Sequence, residues 1–183
     1  MKPVAAGADR TAHGLRNADA LDLAAAGNVR LPHEWINPVC LPRATAPHLA
    51  ARETGTTIDL AAIQAAYGSI RSQADVVIVE GAGGWLAPIA DPPRAGEPGP
   101  TMQDVAIALQ LPVVLVVGLR LGCLNHALLT AAAIRDSGLD FAGWIANPVD
   151  PAFADTDLYV DSLRIRMPAA LLWTAPQVIL PGQ

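Results

Sequence analysis

Lysine is almost absent from this chain: Lys2 is the only one among 183 residues, and the other eleven basic residues are arginines scattered singly. A nucleic-acid surface needs clustered basic charge, because its affinity comes from neutralised phosphates. A net charge of −5 with no basic cluster sets that class aside and favours small-molecule chemistry. Cysteine is scarce as well. Cys40 and Cys123 lie far apart, without CxxC spacing or neighbouring histidines, so neither a zinc site nor a disulfide framework is expected and both read as reduced thiols. Long apolar runs are missing too, the longest being LPVVLVVGL, about half of the ~20 residues a spanning helix needs, so no membrane span is expected. No charged segment followed by an apolar stretch and a small-residue cleavage site opens the chain, which makes the cytoplasm the expected compartment. Much of the apolar fraction of 52% is alanine, a helix former more than a mark of membrane character.

What is present is an alternation of periods. RNADALDLAAAG carries apolar residues at helical spacing with Gly27 as a stop, and a proline-rich loop from LPHEWINPVC through LPRATAPH follows. IDLAAIQAAYGSIR, residues 58 to 71, reads as a helix with Leu60, Ile63, Ala66, Tyr67 and Ile70 on its apolar face. It leads into VVIVE, a β-branched run with the character of a buried parallel strand. PIADPPRAGEPGP is an irregular loop, after which Thr101 offers a cap, with Asp104 three residues on, for the helix MQDVAIALQ. PVVLVVG is a second buried strand, residues 125 to 137 a helix closed by Gly138, FAGWIAN a third strand, LYVDSLRIRM a helix, and PAALLWTAP a loop. Helix and strand patterns alternating in this way predict one α/β domain over residues 1 to 183 with a parallel sheet, no repeat and no second domain. In such sheets ligands gather at the carboxyl ends of strands, here EGAGGW, GLRLGCLNH and NPVDP.

Glu80 ends its apolar run and is followed at once by GAGG, so an anionic side chain and a bare backbone share one spot. A tight turn needing positive φ accounts for the glycines equally well. A dinucleotide fingerprint does not, since the spacing is not GxGxxG and no helix begins there. An apolar strand closing on an acid is also the layout in which a carboxylate holds nucleotide-bound Mg²⁺, an ion that takes only one or two carboxylates. Asp19, near a helix start, is the candidate second acid, with a solvated or capping side chain as the alternative.

KPVAAG, GLRNADAL, INPVCLPRATAPHLAA, VVIVEGAGGWLAPI, LPVVLVVGLRLGCLNHALLTAAAI and GWIAN stand in this order along the chain. Together they closely resemble the dethiobiotin synthetases, ATP-dependent enzymes that close the ureido ring in biotin synthesis. VEGAGGW with GLRLGCLNHALLT is the specific part of the likeness, which runs from Lys2 to about Pro176. The resemblance implies a P-loop NTPase-like parallel sheet flanked by helices. It also implies that 7,8-diaminononanoate takes up CO₂ as a carbamate, that ATP phosphorylates the carbamate, and that the second amine attacks the mixed anhydride. Lys2 matches the catalytic lysine, and Asp19 and Glu80 match the Mg²⁺ ligands. Glu80, Gly81, Ala82 and Gly83 match the nucleotide-contacting turn. Asn147 and the loop at Pro176 match adenine contacts. The family further implies a homodimer, with the LNHALLT helix helping to form the substrate site. His48 and His126 receive no role beyond structural hydrogen bonding.

Three departures accompany the likeness. No GxxxxGK[ST] stretch occurs anywhere, and with Lys2 the only lysine none is possible elsewhere. A strand, loop and helix of roughly 30 residues is therefore expected to belong ahead of Lys2, with Met1 as an internal methionine and the first strand, P-loop and first helix missing. Ala6 stands where the family's KPVxSG has a substrate-contacting serine, and Pro148 follows Asn147 where an aspartate is usual. By itself the chain is then expected to be poorly soluble or partly folded, and inactive. The alternatives are a related P-loop amidoligase or ATPase, and a degenerate family member that binds without catalysis.

Overall fold

The computed structural model describes residues 1 to 176, which divide into two compact units, Met1–Leu109 and the chain from Gln110 onward. Each is built on parallel strands covered by helices, in keeping with the expected α/β class.

In the first unit, β1 (Val4–Ala6) is followed by a small hairpin of β2 (Asp9–Thr11) and β3 (Gly14–Arg16), then α1 (Ala18–Ala26), α2 (His33–Ile36), β4 (Val39–Leu41), α3 (Pro47–Thr54), α4 (Leu60–Arg71) and α5 (Met102–Leu109). β1 and β4 pair in parallel, Val4 beside Val39 and Ala6 beside Leu41. Val4, Ala5 and Leu41 of this ribbon are buried, as are Ala50 of α3, which packs on it, and Ile63 and Ile70 of α4, which packs on α2 and α5. Fully burying an aliphatic side chain of this size is worth about 1.5–3 kcal/mol, so α4 is held by its Ile63–Ile70 stripe more than by its alanine-rich outer face. Asp59 caps α4 by accepting from the Ala61 amide at 2.9 Å. The Asp104 carboxylate accepts from both the Thr101 amide (2.7 Å) and its hydroxyl (3.0 Å), which starts α5 where the sequence placed it.

In the second unit, β5 (Val113–Leu119), α6 (Cys123–Asp136), β6 (Phe141–Pro148), α7 (Thr156–Arg164) and β7 (Leu171–Thr174) form a three-stranded parallel sheet in the order β5-β6-β7 with two helices. Trp144 is its largest fully buried side chain, packed with Leu119, Ala131, Ala146, Leu163 and Met167.

Four expectations are corrected. Residues 76 to 80, the VVIVE run, form no strand: their backbone meets only Met1, whose N donates to the Ile78 carbonyl (2.7 Å) and whose carbonyl accepts from the Glu80 amide (2.9 Å). With a single residue for a neighbour the segment is extended but has no ladder, and Val76 and Ile78 are 79% and 74% exposed. PVVLVVG is a strand, but not buried on both faces: Val117 and Leu119 point inward while Val114 and Val116 are exposed. The proline-rich stretch expected as loop contains α2, β4 and the start of α3, with Pro47 in the first turn, where its missing N–H costs nothing. PAALLWTAP contains β7, which β6 recruits through its own parallel edge.

Candidate active site

Lys2 lies just before β1, and its backbone is fixed from two directions. Its amide donates to the Ile36 carbonyl at 2.7 Å, and its own carbonyl accepts from Asn37 Nδ2 at 2.7 Å. The same amide group reaches the Val39 carbonyl at 3.0 Å, so Asn37 ties the entry of β1 to the entry of β4. Pro3, fully buried, follows and removes an amide that would otherwise need a partner. From this fixed backbone the Lys2 side chain, only 7% exposed, runs to three oxygens: Glu80 Oε1 at 2.6 Å, Asp19 Oδ2 at 3.0 Å and the Gly81 carbonyl at 3.1 Å.

Burial alone would lower the ammonium's pKa. The hydrogen bonds and charges of Glu80 and Asp19 outweigh it and hold Lys2 above its ordinary 10.5, so it is fully charged at neutral pH. The acids themselves are half in water, Asp19 58% and Glu80 48% exposed. The ammonium is thus on the dry side of the cluster and the carboxylates on the wet side.

Asp19 arrives there because α1 starts where it does. Asn17 caps that helix by accepting from the Ala20 amide at 3.3 Å, and donates from Nδ2 to the Gly7 carbonyl at 3.0 Å. Gly7 has φ +86°, and a Cβ on it would meet the Ala44 Cβ at 3.0 Å, so the turn leaving β1 requires glycine. Asp19 sits in the first turn of α1, where the helix dipole favours a carboxylate. Glu80 arrives through the extended 76–80 segment, and the glycine turn bends away after it with Gly83 at φ +76° and Gly84 at φ +113°. Trp85 donates its Nε1 to Gln103 Oε1 (2.8 Å), which fastens the far end of the turn to α5.

The structure therefore brings together Lys2, Asp19, Glu80 and Gly81, with Ala82 and Gly83 continuing the same turn and Ala6 at the end of β1. Asn147, Pro148 and Pro176 belong to the second unit. There the register pairs Ala146 with Thr174, and the Ala175 amide donates to the Ala146 carbonyl at 2.8 Å, so the ends of β6 and β7 carry Asn147 and Pro176 side by side. Asn17 and Asn37, which hold the backbone around this cluster, are residues that sequence reading passed over. The signal for Asn17 was its place before ADAL, a preferred cap residue at a helix start, and for Asn37 an amide side chain directly before proline.

Two carboxylates and a backbone carbonyl, all hard oxygens, already converge on one cation, the Lys2 ammonium. Mg²⁺ takes such oxygens and needs only one or two carboxylates, completing its shell with water and phosphate. Among the described residues no cluster of three or more His, Cys, Asp or Glu side chains offers a richer cage. The residues present fit Mg²⁺ by donor type.

A family model described as an AAA domain matches residues 1–172, which defines the class. The relatives are more specific. ATP-dependent dethiobiotin synthetase BioD of Xanthomonas oryzae pv. oryzae (strain PXO99A) is 50% identical over 167 residues, 91% of this chain and 71% of that protein. The protein of the same name from Aromatoleum aromaticum is 49% identical over 178 residues (97% and 76%), and that from Pseudomonas aeruginosa (strain UCBPP-PA14) is 46% identical over 178 residues (97% and 75%). The chain belongs to the ATP-dependent dethiobiotin synthetase family. No helix among the described residues is long and apolar enough to cross a membrane.

Proposed function

We propose that the Lys2, Asp19 and Glu80 site serves the ATP-dependent closure of the ureido ring that turns 7,8-diaminononanoate and CO₂ into dethiobiotin, in a cytoplasmic homodimer, these residues holding carbamate and metal while no GxxxxGK[ST] phosphate loop lies among the 183 residues. The observation that carries this reading is the lone lysine, held charged by two acids in a chain of this family. One amine of the diamine attacks CO₂ and loses a proton, leaving a carbamate. A carbamate oxygen takes the γ-phosphoryl group of ATP and releases ADP, and the second amine then attacks the carbonyl carbon and expels phosphate. Each stage places new negative charge on oxygens, and a positioned ammonium stabilises such charge without reorganising. Lys2 has that role, with its pKa raised and its backbone tied down by Asn37.

Asp19 and Glu80 would hold Mg²⁺, which when bound supplies positive charge for the triphosphate oxygens. The turn from Glu80 through Gly83 presents backbone without side-chain obstruction to the nucleotide. Asn147, with Pro148 and Pro176 beside it, takes the adenine contacts that the family likeness implies. Ala6 faces substrate without a hydroxyl, one polar contact fewer than the family pattern. Leu121 and Leu129, at and on α6, are strongly exposed apolar residues, which supports burial against a second copy.

The first chemical stage needs no ATP, so it tests the substrate class directly. With carbon-13-labelled bicarbonate and 7,8-diaminononanoate, the chain should retain a carbamate carbon signal that Lys2→Met diminishes. A carbamate population no greater than that of the free diamine in buffer would overturn the reading.

A further inference from the structure

We propose that the Lys2 ammonium and a divalent cation compete for one set of oxygens, so that metal loading expels Nζ from between Asp19 and Glu80 and frees it to meet a substrate anion. This rests on the reading of Asp19 and Glu80 as metal ligands. Nζ now occupies the point where both carboxylates and the Gly81 carbonyl converge, 2.6 to 3.1 Å from each. A dication seated about 2.1 Å from Glu80 Oε1 would lie within about 4.7 Å of an Nζ left in place. Two cations that close would share acids that now serve one of them, so one must move.

Only one is able to move at low cost. The Lys2 backbone is bonded to Ile36 and Asn37, but the side chain beyond it is a flexible four-carbon stem. The half-exposed carboxylates leave the cluster open to a hydrated ion from the solvent side. Charge gives the exchange a direction. Counting side chains alone, two carboxylates and one ammonium sum to −1, which disfavours a carbamate or phosphate. Adding a dication makes the sum +1, which attracts one. The lysine thus offsets half of the acids' charge and keeps them in place before metal arrives, and becomes available to substrate afterwards.

A single lysine makes the test direct. Nitrogen-15-labelled lysine gives one side-chain ammonium resonance, which should shift and exchange faster with solvent as Mg²⁺ is added. In calorimetric titration, Lys2→Met should bind Mg²⁺ about tenfold more tightly than the parent, a competitor having been removed, with an unchanged far-ultraviolet dichroism spectrum. Mg²⁺ heat in the parent with an unmoved Lys2 resonance, or a Lys2→Met variant that binds no more tightly, overturns the competition and leaves the metal site standing. No Mg²⁺ heat in either protein overturns the metal reading itself. Should Lys2→Met fail to fold, the resonance in the unaltered chain decides.

Discussion

At the scale of residues, the cluster around Lys2 distributes its energy unevenly. Removing one partner of an ion pair costs most where the partner left behind is buried, and little where the charge left behind is already hydrated. Lys2 is the buried member and the two acids are half hydrated. Lys2→Met should therefore change unfolding free energy by less than about 1 kcal/mol. The double change Asp19→Asn with Glu80→Gln should cost about 1–2 kcal/mol, less than for a dry pair because water reaches the acids. Denaturant midpoints of the two variants check the ordering. A pH series separates two further residues. Lys2 is held above 10.5, so its contribution is complete at neutral pH and is lost only as pH rises through its folded value. His33 is held below 6.5, by burial first and the Arg16 charge second, with Glu34 opposing. The folded state resists that proton, so the stability His33 contributes is complete above 6.5 and falls away as pH drops through its folded value. Urea midpoints between about pH 7 and pH 5 should fall more steeply in the parent than in His33→Gln. Lys2, Asp19 and Glu80 were named together only through the family resemblance, and the structure brings their side chains into one cluster. Asn17 and Asn37 were not legible, since an amide shows its role only through the carbonyls it finds.

Among the elements, α1 is the one the site depends on, and its start is fixed by one side chain. Asn17→Ala removes both the cap on Ala20 and the tie to Gly7, and should cost about 1–2 kcal/mol, at the upper end for a cap. It should also weaken Mg²⁺ binding, because Asp19 is two residues further along the same turn; calorimetry on the folded variant reads this. Helices were read well from sequence, as α1, α4, α5 and α6 show, because a helix makes its hydrogen bonds within its own segment. Strands were read poorly for the converse reason. VVIVE has every β-branched residue a strand wants and lacks a ladder, because Met1 alone bonds to its backbone. Leu171–Thr174, between Pro168 and Pro176, has little strand character and is one, because the free edge of β6 pairs it. β4 was hidden in the same way by the prolines that flank it, and is defined by β1.

Over the whole molecule, apolar surface is the open account. Val76 and Ile78 stand out on a segment whose backbone is bonded by Met1 alone, a configuration that invites edge-to-edge association. Ile78→Lys should leave stability within about 0.5 kcal/mol and reduce concentration-dependent light scattering. Leu129→Glu on α6 should shift sedimentation from dimer to monomer if α6 is the contact. The α/β class was legible from alternation alone, but the division into units at residue 109 was not, since no composition break marks it. The scarcity of lysine reaches beyond the site into how the molecule can be handled. Lysine-specific proteases find only a Lys–Pro bond, and amine-reactive dyes, cross-linkers and coated surfaces have, apart from the α-amine, a single side chain to take hold of. A reagent that takes that side chain reacts at the charged centre of the cluster, so under the proposed role of Lys2 a preparation labelled there is also an inhibited one.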